Sequence, residues 1–179
     1  MKFTTTRADA VICMDGDDYF EFSIPHDRKY TLDHLWLQTM EDKDDDALVK
    51  IGLSEFIMAE YGRVIEVVLT KPEDDTEIHS EGGEESSEDG EIPQPKNSGG
   101  DELGMEDLLI TVRTSNDRVL INAPFPCKIS DLNGDVEDNS DLVNEDAYGD
   151  GWCMIVKPFE WDEDMFLNEQ EYIEHINEL

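Results

Sequence analysis

The feature that most constrains this chain is the spacing of its apolar residues. They come in short runs of alternating or β-branched character, each closed by a turn signal, and only two stretches carry a helical period. Residues 19–24 alternate aromatic and apolar side chains with Glu21 and Ser23 and stop at Pro25; the stretch after His34, then 47–52, 64–69, 108–113, 119–122, 128–132 and 152–157, have the same strand character. A turn-like stretch from Thr114 to Arg118 between two of these runs predicts a hairpin with a longer loop. Ala123-Pro124-Phe125-Pro126 is a rigid extended connector, and residues 133–141 are polar enough to predict a loop. Ser54 is placed to cap a short helix over 55–61 that ends at Gly62. Asn168 and Glu171 offer a capping arrangement for a final helix with Tyr172, Ile173, Ile176 and Leu179 on one face. Short strands at short intervals with two helices predict a mainly β sandwich or flattened barrel.

From Lys71 the character changes. Residues 73–102 hold twelve acids and one cation, Lys96, with almost nothing to bury, so the segment from about 72 to 104 is expected to be a disordered insert. Residues 1–28 then form an N-terminal extension with one strand, and 29–179 the main domain, interrupted by that insert. The 179 residues carry 13 basic and 46 acidic side chains, a formal charge of −33. Such a charge repels phosphate backbones and anionic lipid, which argues against nucleic-acid and membrane partners. Its ordinary sources are a salt-rich cytoplasm, a solubilising segment or a surface that docks a basic protein partner. No apolar run approaches the length of a membrane span or a signal-peptide core, so a cytoplasmic protein is expected. The Thr-rich, acid-free start resembles a mitochondrial targeting segment in composition, but Asp9, Asp15, Asp17 and Asp18 break that pattern.

Candidate chemistry is sparse. Cys13, Cys127 and Cys153 form no Cys-x-x-Cys pair and read as small buried apolar residues of a reducing compartment. The loop from Asp131 to Val136 fails the EF-hand pattern, because its glycine comes early and Leu142 stands where the closing glutamate belongs. The four histidines are dispersed and no serine or phosphate-loop motif is present, so no metal site and no catalytic residue is expected. His34 reads as a structural hydrogen-bonding residue. Ser86-Ser87-Glu88-Asp89 suits an acid-directed kinase, though the preferred reading of so short a motif is a solvated linker.

Residues 142–152, Leu-Val-Asn-Glu-Asp-Ala-Tyr-Gly-Asp-Gly-Trp, are expected to form a turn feeding a strand, with Gly149 and Gly151 supplying backbone freedom. This run resembles the closing motif of the glycine cleavage system H protein family. Tyr30-Thr31, His34 and Trp36 resemble its opening motif; residues 49–52, the short helix and 62–69 resemble its next block; Ala123-Pro124 adds a register mark. Leu35 stands where the family has glutamate, and Ala147 where it has proline.

The resemblance implies a lipoyl-domain-like β-sandwich (a barrel-sandwich hybrid) with the lipoyl lysine exposed at a hairpin tip. Lipoate is joined to a lysine amine as an amide, and only lysine supplies that amine. Counting back from Ala123-Pro124 puts Asn116 at the lysine position and Arg113 at the family's preceding glutamate. The loop Thr114, Ser115, Asn116, Asp117 and Arg118 holds no lysine; Lys128 lies beyond the connector. The expectation is therefore a non-enzymatic binding or adaptor module without cofactor, whose interaction surface is that loop. The alternative is a lipoyl carrier of a glycine cleavage-type system that loads lipoate on an unexpected lysine such as Lys128.

Overall fold

The computed structural model describes residues 2–7, 10–15, 18–41, 47–71 and 101–179. Most of the predicted acidic insert, the acidic turn after Glu41, Ser86, Ser87 and the side chain of Cys13 lie outside the described residues.

Three strands, β1 (Lys2–Arg7), β2 (Ala10–Asp15) and β3 (Asp18–Ser23), form an antiparallel meander. The expectation of one strand in this extension is thus corrected: the Thr-rich start, which had suggested a targeting composition, pairs as β-branched strand. The chain continues through β4 (Lys29–Tyr30), β5 (Leu35–Glu41), β6 (Ala47–Leu53), α1 (Phe56–Tyr61), β7 (Val64–Leu69), β8 (Glu102–Leu103), β9 (Leu108–Thr114), β10 (Arg118–Asn122) and β11 (Cys127–Leu132). It ends with α2 (Gly134–Asp138), α3 (Asp141–Asp146), β12 (Trp152–Pro158) and α4 (Glu169–Glu178). A six-stranded antiparallel sheet in the order β4-β5-β6-β12-β11-β8 faces a three-stranded one in the order β10-β9-β7. This is the expected mainly β sandwich with short helices and a C-terminal helix.

Alternation along β5 sorts side chains between two cores. Leu35 and Leu37 join Val49, Ile51, Val67 and Val112 between the sheets, whereas Trp36 turns to a second cluster of Phe22, Ile24, Tyr30, Phe56, Tyr172 and Ile176. Trp36 needs Gly52 opposite it, since a Cβ at Gly52 would sit 2.5 Å from the indole ring. Its Nε1 donates to the Ala147 carbonyl at 3.0 Å.

The closing run is half helix. Residues 133–146, expected as a polar loop running into a turn, contain α2 and α3, because Val136, Val143 and Ala147 are buried beneath them. Gly151 is glycine for want of space against the backbone, and neither it nor Gly149 has a left-handed backbone. A Cβ at Gly149 would meet the Asp146 carboxylate, and one at Gly151 would lie 2.7 Å from the Leu142 carbonyl oxygen. The end of the predicted insert is ordered as well. Leu103 is buried, and Glu102–Leu103 pairs with Lys128 and Cys127 at the sheet edge.

The two helices anticipated from sequence form, with local differences. Ser54 makes no cap bond to α1; its hydroxyl lies 2.7 Å from the Tyr172 hydroxyl instead. α4 has the full capping box between Asn168 and Glu171, while Leu179, beyond the last turn, is exposed.

The two edges of the three-stranded sheet differ. On β7, Asn144 bonds both the N–H and the carbonyl of Val64 at 2.9 and 2.8 Å, Ser140 donates to the Ile65 carbonyl at 2.6 Å, and the Leu69 N–H donates to Glu137 at 2.9 Å. Side chains of α2, α3 and Ser140 between them therefore occupy several of the main-chain groups that an edge strand leaves unpaired. On β10, Leu120 has no such partner among the described residues and is 62% exposed.

Candidate functional site

The loop Thr114–Arg118 is a hairpin tip joining β9 to β10. Thr114 N–H donates to the Asp117 carbonyl at 2.8 Å, and the Thr114 hydroxyl donates to the Tyr61 carbonyl at 2.7 Å while accepting from Asp117 N–H at 3.0 Å. Ser115 N–H donates to the Arg63 carbonyl at 2.8 Å. The tip thus rests on the turn after α1, where Gly62 has a φ of +89° and no room for a Cβ beneath Ser115 and Asn116. Only glycine adopts that backbone without strain.

Of the five residues expected to form a surface, Thr114 is buried as the anchor and Ser115, Asn116, Asp117 and Arg118 are exposed. Arg113, just before the tip, pairs with Glu66 at 3.1 Å. Asn116 presents a short carboxamide whose nitrogen is not nucleophilic, so this tip offers no amine for amide formation. Lys128 lies on β11 in the other sheet, with Nζ 2.7 Å from the Asp101 carboxylate.

A groove of about 210 Å³ runs along β10 beside the tip, lined by Asp33, His34, Glu60, Tyr61, Leu120 and His175 among others. Burial raises the Tyr61 phenol above its ordinary value, and the carboxylates of Glu60, Asp117 and Asp33 add to that shift, which places all three within electrostatic reach of one hydroxyl. Sequence reasoning missed this cluster. Its members come from three separate places, α1, the hairpin tip and the loop before β5, and Asp33 beside the opening motif is the only local signal.

His34 closes the groove floor as a hydrogen-bonded core residue. Its φ is +65°, its Nδ1 lies 3.0 Å from the Tyr172 hydroxyl, and its ring packs edge-on to Phe56 at 4.8 Å. Burial pushes its pKa down to about 4, helped by the neighbouring His175, so the ring is neutral at pH 7. Cys127 and Cys153 are buried thiols pushed up to about 12, which removes thiolate chemistry at neutral pH. Among the described residues no group of three or more His, Cys, Asp or Glu is arranged to hold a metal ion, and no helix is long and apolar enough to cross a membrane.

A third feature ties the extension to the closing run. Arg28 lies between the rings of Trp36 and Tyr148, 4.8 and 5.1 Å from their centroids. The Tyr148 hydroxyl donates to the Ser23 carbonyl at 2.6 Å, and Ser23 N–H donates to Glu55 at 2.7 Å. Burial raises the Glu55 carboxyl, with the Ser23 N–H opposing that shift.

A sandwich of two antiparallel sheets that projects a hairpin tip beside a groove is the architecture of lipoyl-type carrier domains. The family model for "Glycine cleavage H-protein" matches residues 92–179, which include the tip, the connector, the closing run and α4. A glycine cleavage system H protein of Mycolicibacterium gilvum is 32% identical over 131 residues, 73% of this chain and 76% of that protein. A probable glycine cleavage system H protein of Natronomonas pharaonis is 27% identical over 151 residues, 84% of this chain and 94% of that one. The crystal structure of a glycine cleavage system H protein from Mycobacterium marinum superposes with a TM-score of 0.60 at 22% identity, covering 87% of this chain and all of the other, and supports the fold. The chain belongs to the glycine cleavage system H protein family, whose members are carriers, not enzymes.

Proposed function

We infer that this chain is a non-lipoylated member of its family, retained as a binding or adaptor module. The observation that carries the reading is Asn116 at the exposed hairpin tip, in a loop that holds no lysine within reach of a register error. Lys128, the substitute that a working carrier would need, lies on a different sheet and is tied to Asp101, which speaks against it. The relatives are named for the glycine cleavage system. A protein of such a system is therefore one source of partner, and a net charge of −33 favours a basic surface on it.

Intact-mass measurement on chain produced in a lipoylation-competent host tests the reading. The unmodified mass is expected, and an Asn116→Lys variant from the same host is expected to gain a lipoyl-sized adduct. An adduct on the unaltered chain overturns the reading.

A further inference from the structure

The open edge of β10 is the feature that neither the hairpin tip nor the family explains. In an antiparallel ladder, residues alternate between pairing inward and pointing their N–H and C=O outward. Counting from the Thr114–Asp117 bond, with Val119 opposite Val112 and Leu120 opposite Thr111, the main-chain groups of Leu120 face away from β9. They have no partner among the described residues, while the opposite edge of the same sheet is closed by Asn144, Ser140 and Glu137. The β7 edge is covered by α2 and α3; on β10 Leu120 is left available, while the outward N–H of Arg118 is held by the Asp117 carboxylate at 2.7 Å.

The surroundings of that edge are chemically one-sided. The groove alongside β10 contains Asp33 and Glu60, and Asp117 stands at its tip end, all three near Tyr61. The cation on this stretch, Arg118, points along the outer face with Leu120, by the alternation that sends Val119 and Ile121 the other way. Two apolar rim residues, Leu32 and Leu179, are exposed at 62% and 63%. An extended segment placed here gains main-chain bonds from β10, apolar contact from the rim, and favourable charge if it carries lysine or arginine on the groove side. A second copy of this chain brings another −33 and fits poorly.

We propose that the free edge of β10 and the carboxylate-lined groove beside it form a strand-addition site for an extended basic segment of a partner protein. The proposal rests on the reading of this chain as a binding module. It deepens that reading by specifying where and how a partner docks.

A capped eight-residue peptide alternating valine and lysine is the probe, with the valine–glutamate peptide and a version N-methylated on alternate backbone nitrogens as controls. Titration calorimetry is read together with hydrogen exchange at the Leu120 amide. The valine–lysine peptide is expected to bind, to protect that amide and to weaken as salt rises, and each control is expected to bind at least about tenfold more weakly. Leu120→Pro removes the outward N–H at an exposed edge position and is expected to abolish binding. Because that variant risks altering the hairpin, the pair Asp33→Asn with Glu60→Gln provides a test that leaves the backbone intact, with a shallower salt dependence expected. Equal binding of all three peptides, or an unprotected Leu120 amide, overturns the site. Absence of binding by chain whose intact mass is unmodified refutes the docking site alone. A lipoyl adduct together with peptide binding refutes the non-lipoylated reading alone.

Discussion

His34 makes stability depend on pH in a way that can be calculated. The ring is 6% exposed, bonded through Nδ1 to Tyr172 and 6.0 Å from the ring of His175, so protonating it in the native state costs desolvation and places two cations together. Its native pKa of about 4 lies below the ordinary 6.5. Above pH 6.5 both states hold a neutral ring and nothing is lost. As pH falls from 6.5 toward 4 the unfolded chain takes up a proton that the native chain refuses, so stability drops through that window and the loss is complete below it. The shift corresponds to about 3 kcal/mol in full and about 2 kcal/mol at pH 5. His34→Asn keeps a residue type that tolerates positive φ and removes the titration. Urea unfolding of both proteins at stepped pH from 7.5 to 4 gives the difference in stability, in which Glu55 and the general relief of acidic repulsion cancel. The parent protein is expected to lose about 3 kcal/mol relative to the variant across that range. A difference flat to within about 0.5 kcal/mol would show that the imidazole is protonated in place or solvated, and would refute the reasoning.

Three further outcomes follow from the geometry. Gly62→Ala forces a side chain into a glycine-only backbone and against Ser115 and Asn116; a loss of about 1–3 kcal/mol in urea unfolding is expected, with shifted amide resonances at Ser115 and Asn116. Asn144→Ala leaves both main-chain groups of Val64 unpaired at the β7 edge, and the expected loss is again about 1–3 kcal/mol, with faster hydrogen exchange at the Val64 amide. Raising salt from about 0.01 to about 1 M shrinks the screening length from about 30 to about 3 Å, so a chain of charge −33 should gain several degrees of melting temperature in a calorimetric scan; an unchanged midpoint would mean that its charges do not repel in the native state.

The strands of the sandwich were legible because their faces alternate between core and solvent, and α4 because Asn168 and Glu171 are spaced for a capping box. α2 and α3 were not, since each buries a single valine within polar sequence, and neither has a side-chain cap. β1 was hidden by threonines that suit strands and targeting segments alike, and β8 is two residues long with one buried leucine. The hairpin tip could be placed by register against Ala123-Pro124, yet the burial of Thr114 depends on a carbonyl fifty-three positions away, at Tyr61. The groove is beyond any local pattern, for Asp33, Glu60, Asp117 and His175 converge only after both sheets and α4 have packed.

The bond between Tyr148 and Ser23 spans 125 positions, and the one between His34 and Tyr172 spans 138. Phe22, Ile24 and Tyr30 leave the ribosome well before the residues that cover them, Tyr148, Tyr172 and Ile176. At about 5–20 residues per second, the second core stays incomplete for on the order of ten seconds of synthesis. During that interval the nascent chain exposes its most aromatic segment, and its earliest opportunity to aggregate or to meet a chaperone falls there. The high negative charge carried by the same chain is then an aid to remaining dispersed while it waits.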